Sequence, residues 1–269
     1  LILRKRRQAL TEVNEEIADV QKAASEGFSA SEQVFPPSAD FISKARVKGM
    51  DGYNKLYRRS IDDPEGFWAD EAKELTWFEP WTKVLDESKK PFFKWFVGGK
   101  TNIAYNCLDA QIEKGLGEKV AIVFEGEPTK DGQATDIRRL TYRELHAEVC
   151  RFANVLKSQG VAKGDRVTIY MPMIPQAAYA MLACARIGAI HSIVFGGFSP
   201  DALAGRLEDC ASVCVITADE GVRGGRKIPL KANSDAAADK AGGVTTILVV
   251  RHTGAAVTMK SGRDLYYDD

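Results

Sequence analysis

Hydrophobic positions along the chain follow three successive rhythms. From residue 1 to about 37, Leu3, Leu10, Val13, Ile17, Val20 and Ala24 recur at heptad-like steps among Glu and Lys. A stripe this narrow predicts an amphipathic helical arm, which Gly27 and then Pro36 and Pro37 end. The arm either docks on its own domain or offers a helix-pairing surface for self-association; its repeat is too short to define a coiled coil. From 38 to 115 the texture is irregular and aromatic. Trp68, Trp77, Trp81 and Trp95 lie there with Phe67, Phe78, Phe92, Phe93 and Phe96. Large rings with few alternating runs predict short helices and loops wrapped over a larger core. An aromatic cage for a ligand is the other reading.

From 116 to 269 the rhythm becomes an alternation. Val120-Ala121-Ile122-Val123-Phe124 predicts a short buried strand. Thr141 and Glu144 have capping-box spacing at the head of a helix. Leu145, Val149, Phe152, Ala153 and Leu156 keep one face of that helix, and Gly160 closes it. Strands are predicted at 166–170, 191–195, 213–216 and 245–250. Helices opened by Pro175 and by Ser199 with Pro200, and a third at 232–240, separate them. Solidly apolar strands are buried on both faces. Strand and helix taking turns predict an α/β fold, a mostly parallel sheet with helices on both faces. The aromatic-rich cover region and the helical arm precede it.

Composition narrows the function classes. The 269 residues carry 37 Lys+Arg against 37 Asp+Glu, with 45% hydrophobic and 28% charged residues. That balance excludes a disordered chain and a disulfide miniprotein, and it argues against a nucleic-acid coat. Cys107, Cys150, Cys184, Cys210 and Cys214 form no Cys-x-x-Cys pair, so a reduced, intracellular and most simply cytoplasmic compartment is expected. No run approaches the roughly 20 apolar residues of a membrane span. The basic cluster at 4–7 follows an apolar patch, the wrong order for a secretory signal. Residue 1 is Leu, so the gene product is expected to start upstream, and organellar targeting stays open.

Two loops carry candidate chemistry, because ligands of open α/β sheets bind beyond the strands' carboxyl ends. Gly196-Gly197-Phe198-Ser199-Pro200 is either a sharp strand-to-helix turn or a place where a ligand approaches backbone. Asp219-Glu220-Gly221-Val222-Arg223-Gly224-Gly225-Arg226-Lys227 sets three cations within five positions. Arginine forks and exposed glycine backbone suit a phosphate. Asp219 and Glu220 instead neutralising the arginines would leave a solvated turn. Val97-Gly98-Gly99-Lys100-Thr101 imitates the end of a P-loop but has Lys94 where the leading Gly belongs. His146, His191 and His252 show no metal-ligand spacing, and no G-x-S-x-G elbow occurs. No catalytic residue and no metal ligand is assigned.

Several blocks resemble the AMP-forming acetyl-CoA synthetase family of the adenylate-forming acyl/aryl-CoA ligases. They are the 53–68 block from Tyr53-Asn54-Lys55 to Gly66-Phe67-Trp68, the 95–109 block from Trp95-Phe96-Val97 to Cys107-Leu108-Asp109, Leu140-Thr141-Tyr142-Arg143-Glu144-Leu145, and the 185–199 block around Gly188-Ala189-Ile190-His191. The resemblance covers about 40 to 269. It implies an N-terminal cover region at 38–115 and the first, incomplete part of an AMP-binding domain at 116–269. The implied reaction joins acetate to coenzyme A, using ATP and Mg, through acetyl-AMP. By the same resemblance Arg223, Gly224, Gly225 and Arg226 contact the phosphates at coenzyme A's adenosine end, and Gly197 lies against the same nucleotide. The family's ATP phosphate loop, acetate pocket, Mg-binding acid and adenylation lysine would follow Asp269, so the 269 residues alone are expected to be inactive. A propionyl or other short-chain acyl-CoA synthetase, or a non-catalytic assembly module, are the alternatives.

Overall fold

The computed structural model describes residues 36–130, 133–134 and 136–269. Residues 1–35 of the expected arm lie outside the described residues. The rest divides between Pro64 and Glu65 into two units. In the first, Ser38 caps helix α1 (Ala39–Lys44) by accepting the Phe41 N–H. Helix α2 (Gly49–Asp62) follows, with Met50, Tyr53, Leu56, Tyr57 and Ile61 all exposed.

Helix α3 (Pro64–Glu71) crosses the division and leads into the aromatic region. Here the structure departs from expectation. Strands β1 (Lys83–Lys89) and β2 (Phe92–Val97) form an antiparallel hairpin where only helices and loops were expected. Rings at 92, 93, 95 and 96 leave only Lys94 to break the run, which hides the period-two signal of a strand. The rings of Trp77, Trp81 and Phe96 cluster edge to face or tilted, at 4.9 to 5.3 Å. Gly99 packs on Trp77, whose ring a Cβ would meet at 2.6 Å, and Lys100 pairs with Glu79 at 2.9 Å. The P-loop look-alike is therefore a packing turn.

The segment 102–109 joins this region to the α/β core. Asn102 Nδ2 donates to the carbonyls of Ala185 and Arg186, and its Oδ1 accepts the N–H groups of Ala104 and Tyr105. Asp109, on a π-helical turn (Tyr105–Asp109), receives both forks of Arg186 at 2.7 Å. His146 lies 3.1 Å away on the same carboxylate. The Arg186 hydrogen bonds outweigh burial and hold the Asp109 carboxyl below its usual range.

Strand β3 (Val120–Glu125) is also corrected. It is half exposed and stands outside the parallel sheet. A short ribbon, β4 (Pro128–Lys130) with β5 (Gln133–Ala134), follows it. β3 itself pairs antiparallel with β6 (Ile137–Thr141).

The core begins at helix α4 (Tyr142–Ser158), and its capping box forms as expected: Thr141 accepts the Glu144 N–H while Glu144 reaches back to the Thr141 N–H. Leu145, Val149, Phe152, Ala153 and Leu156 are its buried face. Then come β7 (Arg166–Met171), α5 (Pro175–Ile187), β8 (Ile190–Phe195), α6 (Pro200–Cys210) and β9 (Cys214–Ala218). A small hairpin, β10 (Gly221–Arg223) with β11 (Arg226–Ile228), precedes α7 (Leu230–Ala241), β12 (Thr246–Val250) and β13 (Asp264–Tyr266).

Five strands form one parallel sheet in the order β13-β12-β9-β7-β8. One row of the register runs Leu265, Leu248, Ile216, Ile169, Ile193 across it. The connection through α5 steps one way and those through α6 and α7 the other, so right-handed crossovers put them on opposite faces. Accordingly α4 packs on α5, and α6 on α7. β9 and β12 are buried throughout and β7 nearly so. The edge strand β8 is not buried as expected, with Ile190, Ile193 and Phe195 more than half exposed. At the other edge a buried cation anchors β13: Lys231 Nζ reaches Asp235 at 2.7 Å, Asp264 at 2.8 Å and the Thr258 carbonyl at 2.8 Å.

Candidate functional site

Strand order reverses at β7: β8 lies on one side of it and β9 on the other. Such a switch point opens a crevice beyond the strands' carboxyl ends. Three loops converge there, 172–174 after β7, 196–199 after β8 and 219–229 after β9. Leu230 ties two of them together. A Cβ on Gly196 would come within 3.4 Å of its Cδ2 and within 3.3 Å of the Met171 carbonyl oxygen; one on Gly221 would meet its Cδ1 at 3.2 Å. Neither Gly196 nor Gly197 adopts positive φ; what each has is a close neighbour, backbone at Gly196 and a side-chain ring at Gly197. For Gly197 the neighbour is the Phe195 ring, 2.6 Å from where a Cβ would stand.

The cationic stretch folds as a two-residue hairpin. Gly224 (φ 55°) and Gly225 (φ 75°) both take positive φ, as the tight turn matching strand twist demands. Arg223 and Arg226 consequently face each other across β10 and β11. The two acids do not neutralise them. Asp219, 1% exposed, accepts backbone N–H groups of Glu220, His252, Thr253, Gly254 and Ala255. Burial would raise its pKa, but these hydrogen bonds prevail and hold the carboxyl below its usual value. Glu220 takes Lys227 at 2.9 Å and the Thr253 hydroxyl at 2.8 Å. Of the three cations expected to act together, Lys227 is thus paired, and Arg223 and Arg226 make no ion pair among the described residues.

Arg223 lies over the Phe195 ring at 4.8 Å, so Gly197 and the arginine hairpin share one aromatic neighbour. Phe195 and Phe198 meet edge to face at 5.9 Å, and Arg206 covers Phe198 at 5.1 Å. Beneath them the Tyr170 hydroxyl donates to the Phe198 carbonyl at 2.7 Å and accepts from Asn233 at 3.2 Å. Burial pushes that phenol's pKa up, which keeps it a donor. The structure therefore brings together Gly197, Arg223, Gly224, Gly225 and Arg226. It adds Phe195, Phe198, Arg206 and Tyr170, which sequence reasoning did not single out, and it turns Asp219 from an expected counter-ion into an acceptor of backbone N–H groups. Exposed arginine forks can pair with an anion, and aromatic faces and glycine backbone lie beside them.

The sequence profile described as "AMP-binding enzyme" matches residues 108–265. The chain belongs to that family. The profile "Acetyl-coenzyme A synthetase N-terminus" matches residues 53–107 just before it. Among curated relatives, acetyl-coenzyme A synthetase of Parvibaculum lavamentivorans is 58% identical over 88% of this chain and 36% of its own length. The same-named protein of Xanthobacter autotrophicus is 54% identical over 89% of this chain and 36% of its length. The chain thus spans about a third of the length of these relatives. Among solved structures, acetoacetyl-CoA synthetase from Streptomyces lividans superposes with a TM-score of 0.74 at 24% identity. It covers 86% of this chain and 36% of that one, and the likeness shows the family's fold alone.

Proposed function

We propose that this chain is the N-terminal part of an acetate–CoA ligase that converts acetate, ATP and coenzyme A to acetyl-CoA, AMP and diphosphate. Its share is the scaffold and part of the coenzyme A phosphate site. One observation carries the assignment of that site: two arginines that make no ion pair among the described residues face each other across a Gly-Gly turn, beside the Phe195 ring and Gly197. Arg223 and Arg226 hold the phosphates at the nucleotide end, Gly224 and Gly225 let them approach, and Gly197 lies against the nucleotide. Electrostatic holding and proximity supply the rate in such a transfer, with little covalent chemistry from side chains.

Acetate itself is inferred from the names of the relatives. Among the described residues no three His, Cys, Asp or Glu gather to hold a metal ion, and the Mg- and ATP-dependent adenylation step is assigned to no residue of this chain. Free cysteines are consistent with a reducing intracellular compartment, and no helix among the described residues is long and apolar enough to cross a membrane.

The test is Arg223→Ala and Arg226→Ala in the intact ligase. Each is expected to raise KM for coenzyme A by about tenfold, the loss of one charge-assisted contact, with smaller changes for ATP and acetate. Unchanged coenzyme A dependence in both variants would overturn the site. The 269 residues alone are expected to release no pyrophosphate from ATP and acetate above a heat-killed control.

A further inference from the structure

We infer that a cavity at the amino end of the sheet is a thiol-modification site, in which Cys150 exchanges with a small disulfide that carries anionic groups. The cavity lies at the opposite end of β7 and β8 from the crevice described above. Its volume is about 730 Å³, within the range of small-molecule clefts. Helix α4 lines it with Cys150, Asn154 and Lys157, at the i, i+4, i+7 spacing of one helical face. Lys163 comes from the loop before β7, and Arg186 from the last turn of α5. The Lys163 stem lies across Gly188, where a Cβ would meet its Cγ at 2.9 Å. Lys157 and Lys163 are exposed and make no ion pair among the described residues.

In the wall of this cavity Cys150 is a free, half-buried thiol with a base beside it. Its Sγ lies 3.7 Å from Nε2 and 3.9 Å from Nδ1 of His146, one turn earlier on α4. His146 Nε2 is in turn 3.1 Å from Asp109. With that nitrogen donating to the carboxylate, Nδ1 is left as the acceptor for the thiol proton, a nucleophile, base and orienting acid in sequence. The acids nearby do not cancel the two lysines: Asp109 is held by Arg186 and His146, and Asp165 accepts the Ala162 N–H at 2.8 Å. Lys157 and Lys163 therefore draw an anionic reagent to the sulfur. In the exchange the Cys150 proton passes to His146, and Sγ bonds to one sulfur of the disulfide. The old S–S bond breaks, and the departing thiolate takes up the proton. Cys150 is oxidised and the released half of the disulfide is reduced.

The test treats the intact ligase with glutathione disulfide, which carries carboxylates, and with neutral 2-hydroxyethyl disulfide, and follows the mixed disulfides by peptide mass spectrometry. Cys107, exposed on the π-helical turn, is the internal reference. The rate with the anionic disulfide divided by that with the neutral one should be about fivefold or more higher at Cys150 than at Cys107. Replacing both lysines, Lys157→Gln with Lys163→Gln, should bring the two ratios together while leaving the neutral rate at Cys150 unchanged. His146→Gln should slow Cys150 at least about tenfold with both disulfides. No adduct at Cys150 with either disulfide overturns the inference. So does an anionic preference no greater than that of Cys107, or one that survives loss of both lysines. An unchanged rate in His146→Gln overturns the role given to the imidazole.

Discussion

Replacing Lys231 with methionine isolates the electrostatics of the sheet's buried edge. Methionine keeps most of the stem's volume, so packing changes little. What disappears is an ammonium that is 1% exposed, set 2.7 Å from Asp235 and 2.8 Å from Asp264, which is itself 0% exposed. Removing one partner of a buried pair leaves uncompensated charge and costs about 3–5 kcal/mol. Arg263 remains as a second partner, with Nε 2.6 Å from Asp264 and Nη2 on Asp235, which places the loss near the lower end, about 3 kcal/mol. For a domain of this size that lowers Tm by roughly 6–12 °C. Urea unfolding at pH 7 measures it directly. The pH profile adds a signature. Burial would raise the Asp264 carboxyl, but Arg263, Lys231 and the Lys260 N–H hold it below its ordinary value. A depressed carboxylate contributes stability above its unfolded pKa and loses it as pH falls through the folded one. Without Lys231 the folded value rises, so acid unfolding should begin at higher pH. A loss below about 1 kcal/mol, or an unmoved acid limb, would refute the reasoning.

Gly197→Ala separates binding from stability. The new Cβ forces the Phe195 ring aside, but that ring is half exposed and free to swing, so stability should fall by less than about 1 kcal/mol. KM for coenzyme A in the intact ligase should rise because Arg223 loses its platform; an unchanged value would count against the shared-ring geometry. Asp219→Asn replaces an acceptor of five backbone N–H groups with an amide whose NH₂ cannot accept. It should cost about 1–3 kcal/mol in urea unfolding. Because the native Asp219 pKa is depressed, its contribution is present above about pH 4 and lost below it. The variant should show a flatter stability profile there.

The α/β core was legible where local chemistry and tertiary need coincide. Thr141 and Glu144 form the capping box, Pro175 opens α5, and the five apolar positions of α4 are its buried face. Partner choice was not legible. Val120-Ala121-Ile122-Val123-Phe124 has the apolar texture of a central parallel strand, yet it pairs antiparallel outside the sheet. Nothing within a strand says which neighbour it will find. The aromatic hairpin was missed because neighbouring large rings mask period two. The fold of the arginine loop was readable in retrospect, since Gly-Gly between paired cations is a two-residue hairpin signal. Asp219 looked like a counter-ion because spacing cannot show that a carboxylate will serve backbone N–H groups from a loop 33 residues away. Phe195 and Arg206 acquire meaning only once the β8 exit and α6 are folded together.

Arg223 and Arg226 stand directly opposite each other on a strand pair, a placement that like charges disfavour. The turn therefore carries self-repulsion whenever it is empty. A bound anion converts that repulsion into a bridge, so occupancy and local folding become one equilibrium. Ligand binding to the native form alone adds stability that grows with concentration. Limited proteolysis near Gly224–Gly225 should therefore slow as coenzyme A is added to the intact ligase, and cleavage that ignores the ligand would count against the coupling.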